Sequence, residues 1–199
     1  MVAIYGVERD AGQVYLALEF VDGGTLDQRL GRDGRLPWAE ALRILEGAAA
    51  AVDYCHGNKV IHRDLKPANI MLTSAGAVKV ADFSVSYQAA QSVSRLTRQP
   101  SWGTPPYMAP EQELGELSGS ADVFALGVCF YEMLTGELPF VGPNFLAQKR
   151  ESAWAPPRRL VPGLPEGADE LFAIALAPEP GRRFKSAGAL AAAARALAA

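Results

Sequence analysis

A short polar loop between two apolar segments carries three side chains that could act together on a phosphate group. Residues 60–72 begin with Val-Ile and end with Ile-Met-Leu, and the polar residues between them surround Pro67. The loop contains a carboxylate, an ammonium and an amide, on Asp64, Lys66 and Asn69. Phosphoryl transfer needs a carboxylate facing the attacking hydroxyl, cations near the moving phosphate and oxygen ligands for Mg²⁺. The loop therefore predicts phosphoryl-transfer chemistry, and the alternative is an exposed loop of mixed charge.

The order of these residues resembles the catalytic loop of protein kinases, specifically the serine/threonine branch. The pattern H-R-D-L-x-x-x-N is matched by His62, Arg63, Asp64, Leu65 and Asn69, with Lys66 two positions after the Asp. The resemblance implies Asp64 as the catalytic base, Lys66 as the cation that neutralises the γ-phosphate, and Asn69 as a Mg²⁺ ligand. It also implies ATP and Mg²⁺ as cofactors and protein Ser or Thr hydroxyls as acceptors.

A second acidic residue follows the next predicted hairpin. Residues 70–72 and 78–80 are apolar runs separated by a short polar segment, which predicts a β-hairpin. Ala-Asp-Phe-Ser then stands where similar kinases carry Asp-Phe-Gly, so the resemblance makes Asp82 a catalytic residue and the second Mg²⁺ ligand. It makes Phe83 the ring that determines whether Asp82 points inward. Ser84 departs from the family's Gly, and we expect it to hinder the change between active and inactive loops.

The beginning of the chain is predicted to bind adenine. Residues 2–7 and 14–21 are β-prone runs separated by charged residues and a Gly, which predicts another hairpin. In a kinase this is the last hairpin of the small lobe. The residues that the resemblance then assigns to ATP are Leu18 at the back of the adenine pocket, Glu19 and Val21 in the hinge, Thr25 near the ribose, and Met71 under the adenine ring. The residues alone also fit a plain strand and turn.

The polar segment at residues 85–106 is interpreted as an activation segment. Arg63 is the residue that, in similar kinases, pairs with a phosphate on this segment. Our hypothesis places that phosphate on Thr97 or Ser101. The resemblance also implies that Thr104 contacts Asp64 and helps to seat the Ser or Thr of a protein substrate.

Two further predictions concern side chains that support the site. Ala-Pro-Glu ends the activation segment, and the resemblance pairs its Glu111 with Arg183, since a buried charge must be paired. Residues 122–134 are apolar on almost every side, which predicts a helix buried inside the protein. The resemblance implies that Asp122, at the start of this helix, hydrogen-bonds the backbone of the catalytic-loop turn.

The predicted fold class is α+β and mainly α. It resembles the C-terminal lobe of a kinase over residues 22–199, with a residual hairpin of the N-terminal lobe over residues 1–21. Apolar residues at helical spacing and helix-favouring composition predict the remaining helices. These are a long helix at residues 36–57, a short one near 145–151, and two more at 168–176 and 186–197.

The resemblance begins only at the fourth strand of the small lobe. A Gly-rich phosphate loop and the strand Lys and helix Glu of a kinase do not precede it, so we interpret the chain as N-terminally truncated and expect little kinase activity from it alone. The first hairpin would then expose an edge and an apolar face, which a missing lobe or a partner would cover. The alternative is a pseudokinase, a non-catalytic module that only binds another protein.

Composition narrows the class of protein. The 199 residues are 49% hydrophobic, enough for one core, and the net charge of -3 gives no electrostatic case for binding nucleic acid. The longest apolar run, residues 123–131, is too short to span a membrane. Cys55 and Cys129 are far apart and predict reduced, buried thiols in a cytoplasmic protein.

Overall fold

The computed structural model describes residues 1–11, 13–82, 103–116 and 118–198, which are mainly helical with two small antiparallel sheets. The strands are β1 (Ile4–Asp10), β2 (Gln13–Leu18), β3 (Ile70–Leu72) and β4 (Val78–Val80). The helices are α1 (Leu26–Asp33), α2 (Trp38–Gly57), α3 (Pro110–Glu113), α4 (Gly119–Thr135), α5 (Phe145–Arg150), α6 (Pro157–Leu160), α7 (Ala168–Ala175) and α8 (Ala187–Ala196). Two 3₁₀ turns, Pro67–Asn69 and Pro180–Arg182, complete these elements.

Helix α4 is the centre of the core, as its apolar sequence predicts. Its side chains are buried on all sides from Ala121 to Leu134 except at Glu132. Helices α2, α7 and α8 pack around it. The Phe130 ring lies 5.3 Å from the Trp38 ring of α2, and the Tyr131 ring lies 5.4 Å from that of Phe172 in α7. Burial of each aromatic ring stabilises the folded state by about 1.5–3 kcal/mol through the hydrophobic effect. Helix α4 is therefore firmly held, and it can fix the position of segments that hydrogen-bond to it.

Helix α2 brings the chain to the polar loop. Pro37 stands at its N-cap and Asn58 at its C-cap, close to the predicted boundaries. Its Gly47 faces β4 so closely that an added Cβ would lie 2.5 Å from the Cβ of Val78. The sheet of β3 and β4 therefore lies directly against α2, and the strand bounds match the predicted hairpin.

The first hairpin corrects one sequence expectation. Residues 8–10, predicted as part of the connection, lie in β1, where Glu8 pairs with Tyr15 and Asp10 pairs with Gln13. Charged side chains can point to solvent from the strands of an exposed hairpin. The strands therefore extend to a turn at Ala11, which has a φ of 47°.

Apolar side chains of this hairpin are exposed, as predicted. Tyr5, Val7, Val14 and Leu16 each retain about half or more of their surface. The hairpin joins the rest of the chain at its base, where the Val2 N–H donates to the Val80 carbonyl (2.9 Å).

Helices α3 and α6 were not predicted, since each is a single turn that begins at a proline. Cys55 and Cys129 are free and buried, as expected from their spacing. Over the described ranges, the helices lack the combination of length and apolar character needed to cross a bilayer.

Candidate active site

The polar loop is held from below by the carboxylate of Asp122. Its Oδ2 accepts the N–H of His62 (2.9 Å), and its Oδ1 accepts the N–H of Arg63 (2.9 Å). Arg63 has a φ of 73°, a left-handed conformation that costs a non-glycine residue about 1–2 kcal/mol. Because Asp122 sits on the buried helix α4, the core holds this turn in its strained conformation. The predicted contact between Asp122 and the loop backbone is therefore present.

Asp64, Lys66 and Thr104 form a closed triangle of hydrogen bonds. The Lys66 Nζ donates to Asp64 Oδ2 (2.6 Å) and to Thr104 Oγ1 (2.8 Å). The Thr104 hydroxyl in turn donates to Asp64 Oδ1 (2.7 Å). A cation and a hydroxyl thus converge on one carboxylate, and hydrogen bonds to an ionised group are stronger than neutral ones. The structure brings these three predicted residues together.

Asn69 lies near the end of the polar loop, and Asp82 follows strand β4. The Asn69 side-chain N–H donates to the Asp64 carbonyl (2.8 Å), and the Asn69 carbonyl accepts the N–H of Ala81 (2.9 Å). A ring nitrogen of His62 bonds the Ala81 carbonyl (2.9 Å). These contacts fix the backbone just before Asp82, which is exposed and has a φ of 59°. Phe83 and Ser84 lie outside the described residues.

Three of the five residues assigned to ATP, Glu19, Thr25 and Met71, belong to or contact the sheet of β3 and β4. Val21 is buried and Leu18 is half exposed at the end of β2. Thr25 caps α1, accepting the N–H of Gln28, and forms a β-bridge with Met71. The Glu19 carboxylate accepts a hydrogen bond from Lys79, and this bond lowers the pKa of Glu19. The structure therefore brings Glu19, Thr25 and Met71 to one sheet, and Leu18 and Val21 lie close to Glu19 in the chain.

Glu111 and Arg183 form a buried, bidentate ion pair. The Arg183 Nη1 and Nη2 donate to the two carboxylate oxygens of Glu111 at 2.7 and 2.8 Å. The arginine side chain is 0% exposed and the glutamate 7%. The ion pair joins the segment after Thr104 to the region just before α8, so two distant stretches of sequence meet as expected.

The chain matches a known protein family over most of its length. The family model described as "Protein kinase domain" matches residues 1–189. The chain belongs to the protein kinase domain family. Serine/threonine-protein kinase PknB of Mycobacterium leprae is 37% identical over 195 residues, covering 94% of this chain and 31% of that protein.

Two further relatives are also named protein kinases. Serine/threonine-protein kinase PknA of Mycobacterium tuberculosis is 37% identical over 188 residues, covering 92% of this chain and 43% of that protein. Putative CBL-interacting protein kinase 27 of rice (Oryza sativa subsp. japonica) is 38% identical over 196 residues, covering 96% of this chain and 47% of that protein. The chain thus spans 31–47% of the length of these relatives. It is a serine/threonine protein kinase by family, of the bacterial type, and a non-catalytic module is not favoured.

The predicted regulatory residues are only partly within the described structure. Arg63 is buried, and its carbonyl accepts the side-chain N–H of Gln112 (2.5 Å). Thr97 and Ser101 lie outside the described residues. The regulatory assignment of Arg63 therefore stays a prediction.

His56, at the end of α2, bonds the same carboxylate as the polar loop. Its Nε2 lies 2.7 Å from Asp122 Oδ2, and this hydrogen bond raises the pKa of His56. Asp122 therefore joins α2, α4 and the polar loop through one carboxylate.

Three supporting interactions were missed by sequence reasoning. The Tyr107 hydroxyl donates to Glu132 (2.7 Å), and burial raises the pKa of that Glu. The other two join Lys149 to Glu113 and to the Pro105 carbonyl (2.6 Å). A polar residue in an otherwise apolar helix was a signal for Glu132, but no comparable sequence signal marks Lys149.

Proposed function

We propose that this chain transfers the γ-phosphoryl group of Mg-ATP to Ser or Thr hydroxyls of proteins. The observation that supports this best is the triangle of Asp64, Lys66 and Thr104. In it the Asp64 carboxylate accepts one hydrogen bond from the Lys66 ammonium (2.6 Å) and one from the Thr104 hydroxyl (2.7 Å). The relatives PknB and PknA are named serine/threonine-protein kinases, which is consistent with this chemistry.

In this proposal Asp64 is the base that orients the acceptor hydroxyl and takes its proton. The ammonium of Lys66 lies beside it and stabilises negative charge that develops on the transferred phosphoryl group. Thr104 keeps Asp64 in one orientation and marks the position near which the acceptor Ser or Thr binds. The partly buried position of Asp64, 17% exposed, strengthens these interactions relative to open water.

The side chains of Asn69 and Asp82 suit a Mg²⁺ ion. The amide nitrogen of Asn69 is already bonded to the Asp64 carbonyl, so its oxygen is the atom left for a metal. Mg²⁺ prefers oxygen ligands and takes only one or two of them from the protein when phosphates supply others. Within the described ranges, no group of three or more His, Cys, Asp or Glu side chains is placed to hold a metal ion. Bound Mg²⁺ would neutralise charge on the phosphates.

We further propose that residues 1–21 belong to the small lobe and residues 22–199 to the large lobe. Adenine would then bind at the junction formed by Leu18, Glu19, Val21, Thr25 and Met71. The exposed apolar face of the first hairpin supports contact with further small-lobe structure or with a partner. The free buried thiols of Cys55 and Cys129 are consistent with a cytoplasmic location.

Phosphate transfer from Mg-ATP to a Ser- and Thr-containing protein tests this proposal. We expect slow transfer by the chain alone and faster transfer when the small lobe of a relative is joined to its N-terminus. Asp64→Asn should lower the rate by about 10²–10⁴-fold, because it removes the base. Asp10→Asn, an exposed change of the same kind at the end of β1, should leave the rate unchanged. Equal rates for Asp64→Asn and the unchanged chain would contradict the assignment, as would phosphate found only on Tyr.

A further inference from the structure

Lys149 is a lysine without exposed side-chain surface. It lies in α5, and its side chain is 0% exposed. A buried ammonium is unfavourable unless it is paired and hydrogen-bonded. Lys149 meets this condition through the carboxylate of Glu113 in α3 and the carbonyl of Pro105, with its Nζ also 5.4 Å from the centre of the Phe145 ring. Burial lowers the pKa of Lys149, and the nearby Glu113 opposes that change.

The carbonyl that Lys149 holds belongs to the residue after Thr104. Pro105 and Pro106 have no backbone N–H, so this stretch can be held through its backbone only by its carbonyls. The Thr104 carbonyl accepts the N–H of Tyr107 (2.9 Å) and of Met108 (3.2 Å), which makes the segment one tight turn. One side of this turn is therefore fixed on α5 and the other on Asp64.

We propose that Lys149 is a positioning residue for phosphoryl transfer. By holding the Pro105 carbonyl, it keeps the Thr104 hydroxyl on the carboxylate of Asp64. This inference rests on the proposed function for its kinetic consequence. Its structural part, the coupling between Lys149 and the turn at residues 103–108, stands on the contacts alone.

Amide hydrogen exchange measures that coupling directly in the whole chain. Lys149→Met keeps the length of the side chain and removes the donor. It should raise exchange at Tyr107 and Met108, the amides of the turn that bond the Thr104 carbonyl, by about tenfold or more while α4 keeps its protection, because the turn opens locally. Arg150→Met, the same kind of change at the exposed neighbouring position, should leave exchange in the turn unaltered. Unchanged exchange at Tyr107 and Met108, or an equal rise throughout α4, overturns the proposal.

Glu113→Gln separates positioning from stability. It removes the ion pair but leaves the Lys149 bond to Pro105, since a neutral amine still donates a hydrogen bond. We expect a less stable protein whose turn keeps its protection in native conditions. A rise in exchange at Tyr107 and Met108 equal to that of Lys149→Met would show that Glu113, and not the bond to Pro105, holds the turn. If Lys149→Met does not fold, a tenfold rise at Tyr107 and Met108 in Glu113→Gln, relative to the unchanged protein, overturns the proposal in its place.

Kinetics then test the link to Thr104. In the form joined to a small lobe, Lys149→Met should lower kcat by about 10- to 100-fold with the KM for ATP unchanged, because misplacing a reacting group by about 1 Å has effects of this size. Adding Lys149→Met to Thr104→Val should cause no further loss, since both act through the same contact. Independent, multiplicative losses contradict the proposal. Absence of transfer in the unchanged protein would refute the proposed function instead, while the exchange result still decides the coupling.

Discussion

Replacement of Arg183 by Ala should destabilise the protein more than any surface substitution. The side chain is fully buried and makes a bidentate contact with Glu111. Its remaining N–H groups donate to the carbonyls of Ala177 (2.7 Å), Pro178 (2.8 Å) and Ser120 (3.1 Å). Truncation to Ala therefore leaves a buried carboxylate without its counter-ion and three carbonyls without these donors.

The expected loss of unfolding free energy follows from these contacts. Breaking a buried ion pair by removing one partner costs about 3–5 kcal/mol, most of it from the charge left behind. The guanidinium also lies 4.8 Å from the centre of the Phe124 ring in α4, and this packing is lost as well. In a domain of this size, each kcal/mol shifts the melting temperature by about 2–4 °C. We therefore expect a decrease in Tm of roughly 6–20 °C.

Urea unfolding followed by circular dichroism gives the free energy of unfolding directly. The matched control is Arg182→Ala, because the Arg182 side chain is 77% exposed and lies 3.8 Å from an exposed Glu179. That change should cost less than about 0.5 kcal/mol. Replacing both partners, with Glu111→Leu and Arg183→Met, should recover much of the loss, since no unpaired charge remains. A loss under about 1 kcal/mol for Arg183→Ala, or no recovery in the double variant, would refute the reasoning.

Two further predictions test the packing of α2 and its link to Asp122. Gly47→Ala should destabilise by about 1–3 kcal/mol despite the better helix propensity of Ala, because the new Cβ would lie 2.5 Å from the Cβ of Val78. Gly31→Ala in α1, where nothing lies within 4 Å, should instead stabilise by about 0.5–1 kcal/mol, and the opposite order in urea unfolding would contradict both. The pKa of His56 is raised in the folded protein by its hydrogen bond to Asp122, with a smaller contribution from Asp53. The protonated His56 therefore stabilises the fold, and this stabilisation is fully present below the ordinary histidine pKa of about 6.5. The stability lost in His56→Gln should therefore be largest near pH ~5.5 and shrink as the pH rises through the folded pKa, and a pH-independent loss in urea unfolding would contradict this.

The parts of the fold that the sequence predicted are those with a local cause. Helix α2 and strands β3 and β4 follow from the spacing of apolar residues, and their bounds lie within a few residues of the predicted ones. The first hairpin was predicted as well, but its connection was predicted too long, at residues 8–13. Charged residues look like a connection in sequence, whereas on an exposed hairpin they fit equally well in a strand.

The parts that the sequence did not predict depend on contacts between distant residues. Lys149 lies 36 residues from Glu113, and Tyr107 lies 25 residues from Glu132. Lysine and glutamate are rarely buried, so a lysine in a short helix predicts an exposed side chain unless its partner is known. The Glu111 and Arg183 contact was expected only because the family resemblance named both residues.

The candidate site shows why residue types can predict chemistry but not its geometry. The motifs identify Asp64 and Asp82, yet they do not reveal the positive φ values of Arg63, just before Asp64, at 73° and of Asp82 itself at 59°. Such conformations cost about 1–3 kcal/mol each and persist only where surrounding contacts fix them. For Arg63 those contacts come from Asp122, a carboxylate 1% exposed on the most buried helix. Because the strain is held by the core, side chains that pack α4 influence the site without touching any reacting atom.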